Sequence, residues 1–466
     1  MDTPTNLMVI NGVMLFDEVI DFEAFASILQ ERLVDRYDRF RQRLIESPPG
    51  TGRLHWEDDP YFDIRSHIRH FALPAPGNIN TLQRLISELM SGPLERNAPM
   101  WRFYLIENVE GGCAIFGRIH HCIADGIALI QVLLSLTDES PAPSAKAFDS
   151  QETGIPVVNY EEGESEHNFS LFSPVFKLTS KAMGMASQIA KAALTQGFQT
   201  WENPTRLIEI AQSTGLLTAA SAAILTKLLL LPSDRQSVFK GKLGAMKKVV
   251  WSDPLDLNVV KQIGKSMNAT VNDVLVAAVA GALRRYLQAH GDTVSSGDMR
   301  AMVPVNLRNP KAGIKLGNQF ALVYLNLPVS LPEPEQRLLA VKRQMDVLKS
   351  SPEPMLVYQL LNIIGMLPGA VADQATTWFS TKASMVLTNV PGPRQPLYFA
   401  GKAMDRVLFW VPQSGEIGLG ISIISYNGFV TLGIVVDESL APDPERILDT
   451  FKDEFESLAQ LSSPES

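Results

Sequence analysis

The sequence predicts a mixed α/β (α+β) protein of two lobes joined by a helical connector. Three observations predict it. The chain has 466 residues, too many for one ordinary hydrophobic core. Hydrophobic residues make up 45% and charged residues 20%, the balance of a soluble chain with ample core. Strand and helix patterns interleave at both ends, in 1–137 and 246–466, whereas 138–245 reads as loop and then helix.

In the first block, apolar patterning predicts strands at 7–16, 101–107 and 112–119 and helices at 22–37, 80–90 and 127–136. The 112–119 strand is short, apolar and bounded by glycine. The connector opens with Ser140-Pro141-Ala142-Pro143-Ser144 and the acidic run 161–166, a composition expected to be exposed and mobile. Two helices rich in Ala, Leu and Met are expected at 174–196 and 204–231. Helices this apolar must cover another domain, a partner or a lipid surface. The apolar run 216–231 contains Lys227 and stops at Pro232, short of the ~18 uncharged residues of a spanning helix, so a buried or interface-lying helix is expected. In the third block, strands are expected at 246–252, 299–305, 321–329, 417–424 and 429–436. A long helix is expected at 271–288, with Asn272 or Asp273 near its N-cap. A terminal helix at 444–461 has Asp443 placed as N-cap and Pro444 at its first position.

A net charge of -9 argues against nucleic acid as a partner. Lys240, Lys242, Lys247 and Lys248 form a local basic run that suits a solvated loop better than a phosphate or membrane contact. Two cysteines, Cys113 and Cys122, are too few for a disulfide framework and suit a reducing cytoplasm. The first residues lack the basic n-region of a signal peptide. No G-x-S-x-G occurs. The run 112–118 lacks the Lys and the Ser or Thr of a phosphate loop.

One segment carries chemistry: His120-His121-Cys122-Ile123-Ala124-Asp125-Gly126, read as H-H-x-x-x-D-G, between the 112–119 strand and the 127–136 helix. Imidazole is suited to taking and returning a proton near neutral pH. On a tight turn one of two adjacent histidines faces a cleft and the other packs back. Asp125 is placed to cap the next helix or to pair with a distant Arg. Gly126 permits a sharp turn or a close substrate. No serine or functional cysteine accompanies the pair, so direct proton transfer fits better than covalent chemistry. No third ligand is suitably spaced, so no metal is expected. The plain structural reading, two buried histidines and a helix cap, is weaker for the ordered set than for a lone histidine.

H-H-x-x-x-D-G resembles the hallmark of the coenzyme A-dependent acyltransferase superfamily. That group includes chloramphenicol acetyltransferase, peptide-synthetase condensation domains and plant alcohol acyltransferases. The closer likeness is to the bacterial wax ester synthase/diacylglycerol acyltransferase family. It is carried by Trp56-Glu57-Asp58-Asp59 with His67 and Leu73-Pro74-Ala75-Pro76-Gly77, and by Pro99-Met100-Trp101. Further on it is carried by Val271-Asn272-Asp273-Val274, Val303 to Arg308, Gly317-Asn318 and Asn389-Val390-Pro391-Gly392-Pro393. The likeness runs in order along nearly the whole chain. Leu7 to Gly12 departs from that family's Met-His-Val-Gly pattern. The resemblance implies two chloramphenicol-acetyltransferase-like lobes joined by the helical linker, with an active-site tunnel between them. It implies transfer of a fatty acyl group from acyl-CoA, a co-substrate rather than a cofactor, to a fatty alcohol or diacylglycerol. His121 would be the general base, with His120 shaping the turn and Asp125 paired with an arginine such as Arg308. Gly126 would leave room, Asn272 would hold the site or the oxyanion, Asp273 would be structural, and Pro99 and Trp101 would line the substrate path. It implies a cytoplasmic protein associated peripherally with the inner membrane or with lipid inclusions. The sequence alternatives are a condensation-type transferase acting on a small polar acceptor and a non-catalytic lipid-binding protein of the same fold.

Overall fold

The computed structural model describes residues 2–47, 54–142, 227–228, 230–308, 316–365, 369–413 and 415–462. The first part of the chain forms β1 (Val9–Phe16), α1 (Phe22–Leu29), β2 (Gln42–Glu46), β3 (Leu54–Asp58), α2 (Ile64–His67), β4 (Ile68–Ala72), α3 (Ile79–Ser91), β5 (Trp101–Val109), β6 (Gly112–His120) and α4 (Gly126–Leu134). From the connector to the middle of the third block come β7 (Lys247–Trp251), β8 (Leu255–Asp256), α5 (Leu257–Ser266), α6 (Val271–Ala289), β9 (Met299–Asn306), β10 (Phe320–Leu327), α7 (Pro334–Ser350), α8 (Glu353–Gly365) and α9 (Gly369–Ser380). The chain closes with β11 (Met385–Pro391), β12 (Tyr398–Phe399), β13 (Lys402–Trp410), β14 (Leu419–Tyr426), β15 (Phe429–Asp437) and α10 (Glu445–Ser462).

These elements build two large sheets and a small β2-β3 hairpin sheet, in the two-lobed mixed architecture that the sequence predicts. The first is ordered β12-β13-β1-β6-β5-β4 and the second β10-β9-β11-β14-β15-β7. β13 lies late in the chain yet pairs with β1, from Asn11 opposite Trp410 to Phe16 opposite Met404. The physical reason lies in β1, which is buried at all eight positions. A buried strand must pair both of its edges. β6 satisfies one edge and β13 the other. The block 246–466 thus supplies strands to both sheets.

α6 is apolar on every side because every side is covered. It packs on the second sheet and against α7 and α10, and its residues from Asp273 to Leu283 are buried. Its N-cap is Thr270, in a capping box with Asp273, so Asn272 and Asp273 both sit just inside the cap. The expected helix at 22–37 ends earlier. α1 continues past Leu29 as a wider helical turn over Gln30–Val34, in which Asp35 N–H reaches Gln30 O at 2.9 Å. Asp443, expected as an N-cap, accepts from Tyr286 Oη at 2.7 Å.

The connector helix at 174–196 and nearly all of the one at 204–231 lie outside the described residues, as do most of the loop residues before them. The basic run is corrected: Lys247 is buried against Asp437 at 2.6 Å, and Lys248 pairs with Glu445, because both belong to a strand rather than a loop. Among the described residues no single helix is long and apolar enough to cross a membrane.

Candidate active site

β6 ends at His120, and the chain then turns sharply. His120 N–H donates to Met100 O at 2.9 Å, His121 N–H to Met8 O at 2.7 Å and Ile123 N–H back to His120 O at 3.0 Å. The turn is therefore held by β5's approach on one side and the N-terminal segment on the other. Asp125 caps α4, its Oδ1 accepting from Ala128 N–H at 2.9 Å.

The second lobe meets this turn through the segment between β9 and β10. Ala124 and Gly317 form a short parallel bridge, with Asp125 N–H donating to Gly317 O at 3.3 Å and Gly317 N–H to Ile123 O at 3.2 Å. Gly317 has φ +109°, a backbone region open to glycine. Asp125 Oδ2 accepts from Gln319 N–H at 2.8 Å and from Arg308 Nη2 at 2.5 Å. Asp125 is 3% exposed. Its carboxylate thus serves three donors from both lobes and joins them.

The two histidines part company. The His120 ring turns toward the N-terminal segment, where its Nδ1 accepts from Cys122 N–H at 3.2 Å and its Nε2 lies 3.8 Å from Asp2 Oδ2. Asp2 also accepts from Met8 N–H and Arg96, each at 3.0 Å. Burial raises the Asp2 carboxyl pKa, but His120, Met8 N–H and Arg96 together outweigh burial and hold it below the ordinary carboxylate range. The half-buried His121 instead faces the second lobe, its ring 5.6 Å from that of Phe320. Asn318 Nδ2 donates to His121 O at 3.4 Å. Burial pushes the His121 pKa below the ordinary histidine value. A hydrogen bond to its own main-chain carbonyl and the Asp125 charge work the other way. Burial drives the Cys122 thiol up to about 12, against the nearby Arg39, so it stays a thiol and offers no nucleophile.

Asn272 sits at the start of α6. Its Oδ1 accepts from Asn389 Nδ2 at 2.9 Å, and its Nδ2 is buried without a protein partner. Asp273 closes the capping box and is 1% exposed. A Cβ at Gly126 would meet Val411 Cγ1 at 3.6 Å and Ile10 Cδ1 at 4.0 Å, ordinary van der Waals contacts. Pro99 and Trp101 are buried. The Trp101 indole donates to Phe40 O at 2.7 Å and stacks on His67 with ring centres 4.6 Å apart, the contacts of a core residue. A cavity between the lobes is lined in part by Leu7, Val9, Asn11 and Val411, and by none of the motif residues. Sequence reasoning gave no role to Asp2, Gln319, Phe320 or Asn389. A main-chain donor and a carboxylate distant in sequence leave no local pattern. Among the described residues no group of His, Cys, Asp and Glu is arranged to hold a metal ion.

The fold and the motif have counterparts. Over its full length the chain is similar in structure to the wax ester synthase/diacylglycerol acyltransferase from Marinobacter aquaeolei VT8, with TM-score 0.67 and 21% identity, covering 99% of this chain and 96% of that one. It shares the fold of the first condensation domain of the calcium-dependent antibiotic synthetase, with TM-score 0.57 and 14% identity over 98% and 91% of the two chains. In sequence it is 29% identical to a putative diacylglycerol O-acyltransferase of Mycobacterium tuberculosis, over 93% of this chain and 82% of that one. It is 28% identical to an O-acyltransferase of Acinetobacter baylyi, over 88% and 85%. Residues 1–275 match the wax ester synthase/diacylglycerol acyltransferase catalytic domain and residues 316–459 the C-terminal domain of the same proteins. The turn that brings His121 against the second lobe is therefore part of a catalytic domain, and the chain belongs to the wax ester synthase/diacylglycerol acyltransferase family of enzymes.

Proposed function

We propose that this chain moves a fatty acyl group from acyl-CoA to the hydroxyl of a long-chain alcohol or a diacylglycerol, making a wax ester or a triacylglycerol. His121 is the general base. Its neutral imidazole takes the acceptor's hydroxyl proton as the oxygen attacks the thioester carbonyl. The C–S bond then breaks, and the imidazolium returns the proton to the departing thiolate. One observation carries the assignment: the Asp125 carboxylate is fully committed to Ala128, Gln319 and Arg308, which leaves the His121 ring as the proton acceptor that the turn presents. The lowered pKa keeps that ring neutral at physiological pH. Asn272 Nδ2 is the donor offered to the developing oxyanion. Gly126 adds no side chain beside the acceptor, and the buried Pro99 and Trp101 flank its path. The chemistry calls for no cofactor beyond the acyl-CoA co-substrate.

The test is a lipid product assay with palmitoyl-CoA, hexadecanol and dioleoylglycerol. Ester is expected from at least one acceptor, and none from folded protein would sink the proposal. His121→Ala should lower turnover by at least about a hundredfold while preserving the fold; full activity in that variant removes His121 from its role. The acceptors are lipids and the connector is apolar, so the protein is further proposed to work in the cytoplasm against the inner membrane or lipid inclusions. Recovery wholly in the soluble fraction of lipid-loaded cells overturns that location.

A further inference from the structure

Residues 3–6, Thr3-Pro4-Thr5-Asn6, make a tight reversal ahead of β1. Thr3 N–H donates to Asn6 O at 3.1 Å and Asn6 N–H to Thr3 O at 3.0 Å. Proline at the second position of such a turn presets the φ it needs. Asn6 is buried, and its side chain donates to Gly415 O at 2.6 Å, which pins the turn to the segment between β13 and β14. The reversal returns the half-buried Asp2 to Met8, the residue before β1.

Asp2 takes no part in the proton transfer proposed above, yet its carboxylate is committed to groups that lead to His121. Oδ1 accepts from Met8 N–H at 3.0 Å. Met8 O in turn accepts from His121 N–H at 2.7 Å, one step beyond Val9 and His120, the last pair of the β1–β6 ladder. Oδ2 faces His120 Nε2 at 3.8 Å and accepts from Arg96 at 3.0 Å. His120 Nδ1 in turn accepts from Cys122 N–H at 3.2 Å. A neutral imidazole that accepts at Nδ1 carries its proton on Nε2, the atom turned to Asp2, so the carboxylate favours the tautomer that holds Cys122. The two arms end on the main-chain N–H groups of His121 and Cys122, one on either side of the His121 side chain. The end of a ladder frays unless such groups are held. A reacting group misplaced by about 1 Å costs on the order of a hundredfold in rate.

We propose that Asp2 is a positioning residue for His121: its carboxylate clamps both peptide groups that flank the base, through Met8 on one side and His120 on the other, and so keeps the ring aimed at the acceptor hydroxyl. This rests on the role of His121 proposed above.

The test compares the wild type with D2A, D2N and T3A by kinetics with palmitoyl-CoA and the accepted alcohol or diacylglycerol, by hydrogen exchange and by thermal melts. D2A should lower kcat by at least about tenfold and leave KM for both substrates within about twofold, because the base is misplaced while binding is untouched. D2N keeps an oxygen for only one arm and should fall between; it carries the same comparison if D2A melts early. T3A keeps Asp2 and the main-chain bonds of the reversal and should match the wild type. In D2A the amides of His121 and Cys122 should exchange faster, with the rest of β6 unchanged. The plateau of the pH profile should fall while its midpoint stays in place, since the proton acceptor is the same. Unchanged kcat and exchange in D2A overturn the clamp. A loss in T3A equal to that in D2A also overturns it, assigning the effect to packing of the N-terminal segment. So does a moved midpoint with an unchanged plateau, which would make Asp2 an electrostatic influence on His121 instead. Faster exchange at His121 and Cys122 in D2A, beside a wild type that forms no ester, overturns the reaction and leaves the clamp.

Discussion

His120 and His121 are adjacent in sequence and opposite in environment. The ring of His120 is tied to the first lobe by Cys122 N–H and the Asp2 carboxylate, whereas His121 faces Phe320 of the second. A general base acts only when deprotonated. Because burial lowers the His121 pKa, the acidic limb of kcat/KM should rise with increasing pH around a midpoint below 6.5 and then reach a plateau. A pH profile checks this, and a midpoint above 6.5 contradicts it. Asp125 and Arg308 form an ion pair whose side chains are 5% and 10% exposed. Arg308→Met leaves a buried carboxylate short of its cation, which should cost about 3 kcal/mol in urea denaturation. A change under about 0.5 kcal/mol, the size of an ordinary surface effect, would mean that the pair contributes nothing. Asp125 was legible as a cap because its partner Ala128 is three residues away. Its pairing with Arg308, 183 residues on, was legible only through the family resemblance.

The strands and helices around the site were legible where their burial is one-sided or total. The 112–119 pattern became β6, and the long apolar 271–288 pattern became α6. The helix expected at 22–37 holds to Val34, its last turn widened so that Asp35 N–H reaches Gln30 O, and it ends only a few residues early. Within α6, Gly281 shows where neighbours overrule helix propensity. Alanine is favoured over glycine inside a helix by about 0.5–1 kcal/mol. Yet a Cβ at Gly281 would meet the Glu454 carboxyl at 2.3 Å, and Glu454 is pinned by Arg337 and by Arg285, the latter at 2.6 Å. Gly281→Ala should therefore lower the melting temperature, by several degrees if it costs about 2 kcal/mol; a rise would show that Glu454 moves aside freely.

Across the whole molecule, β13 makes the lobes interdependent. It completes the first sheet and leads directly to β14 in the second. A fragment of residues 2–142 would expose the edge of β1 that β13 covers, along with Val13, Leu15 and the apolar face beside them. Such a fragment should aggregate or remain unfolded by circular dichroism and limited proteolysis, and a stable, protease-resistant monomer would refute the dependence. The sequence by itself determined local terms: the strand and helix that flank the motif, the long helix α6, the H-H-x-x-x-D-G turn between β6 and α4, and the excess of acid over base. These depend on neighbours a few residues apart, where periodicity and residue chemistry suffice. Only the tertiary structure decided that β13 belongs to the first sheet, that Asp125 is shared between lobes, and that Asp2 reaches His120. Each of these joins residues far apart in the chain, and such pairings follow from burial and packing of the whole molecule rather than from any local pattern.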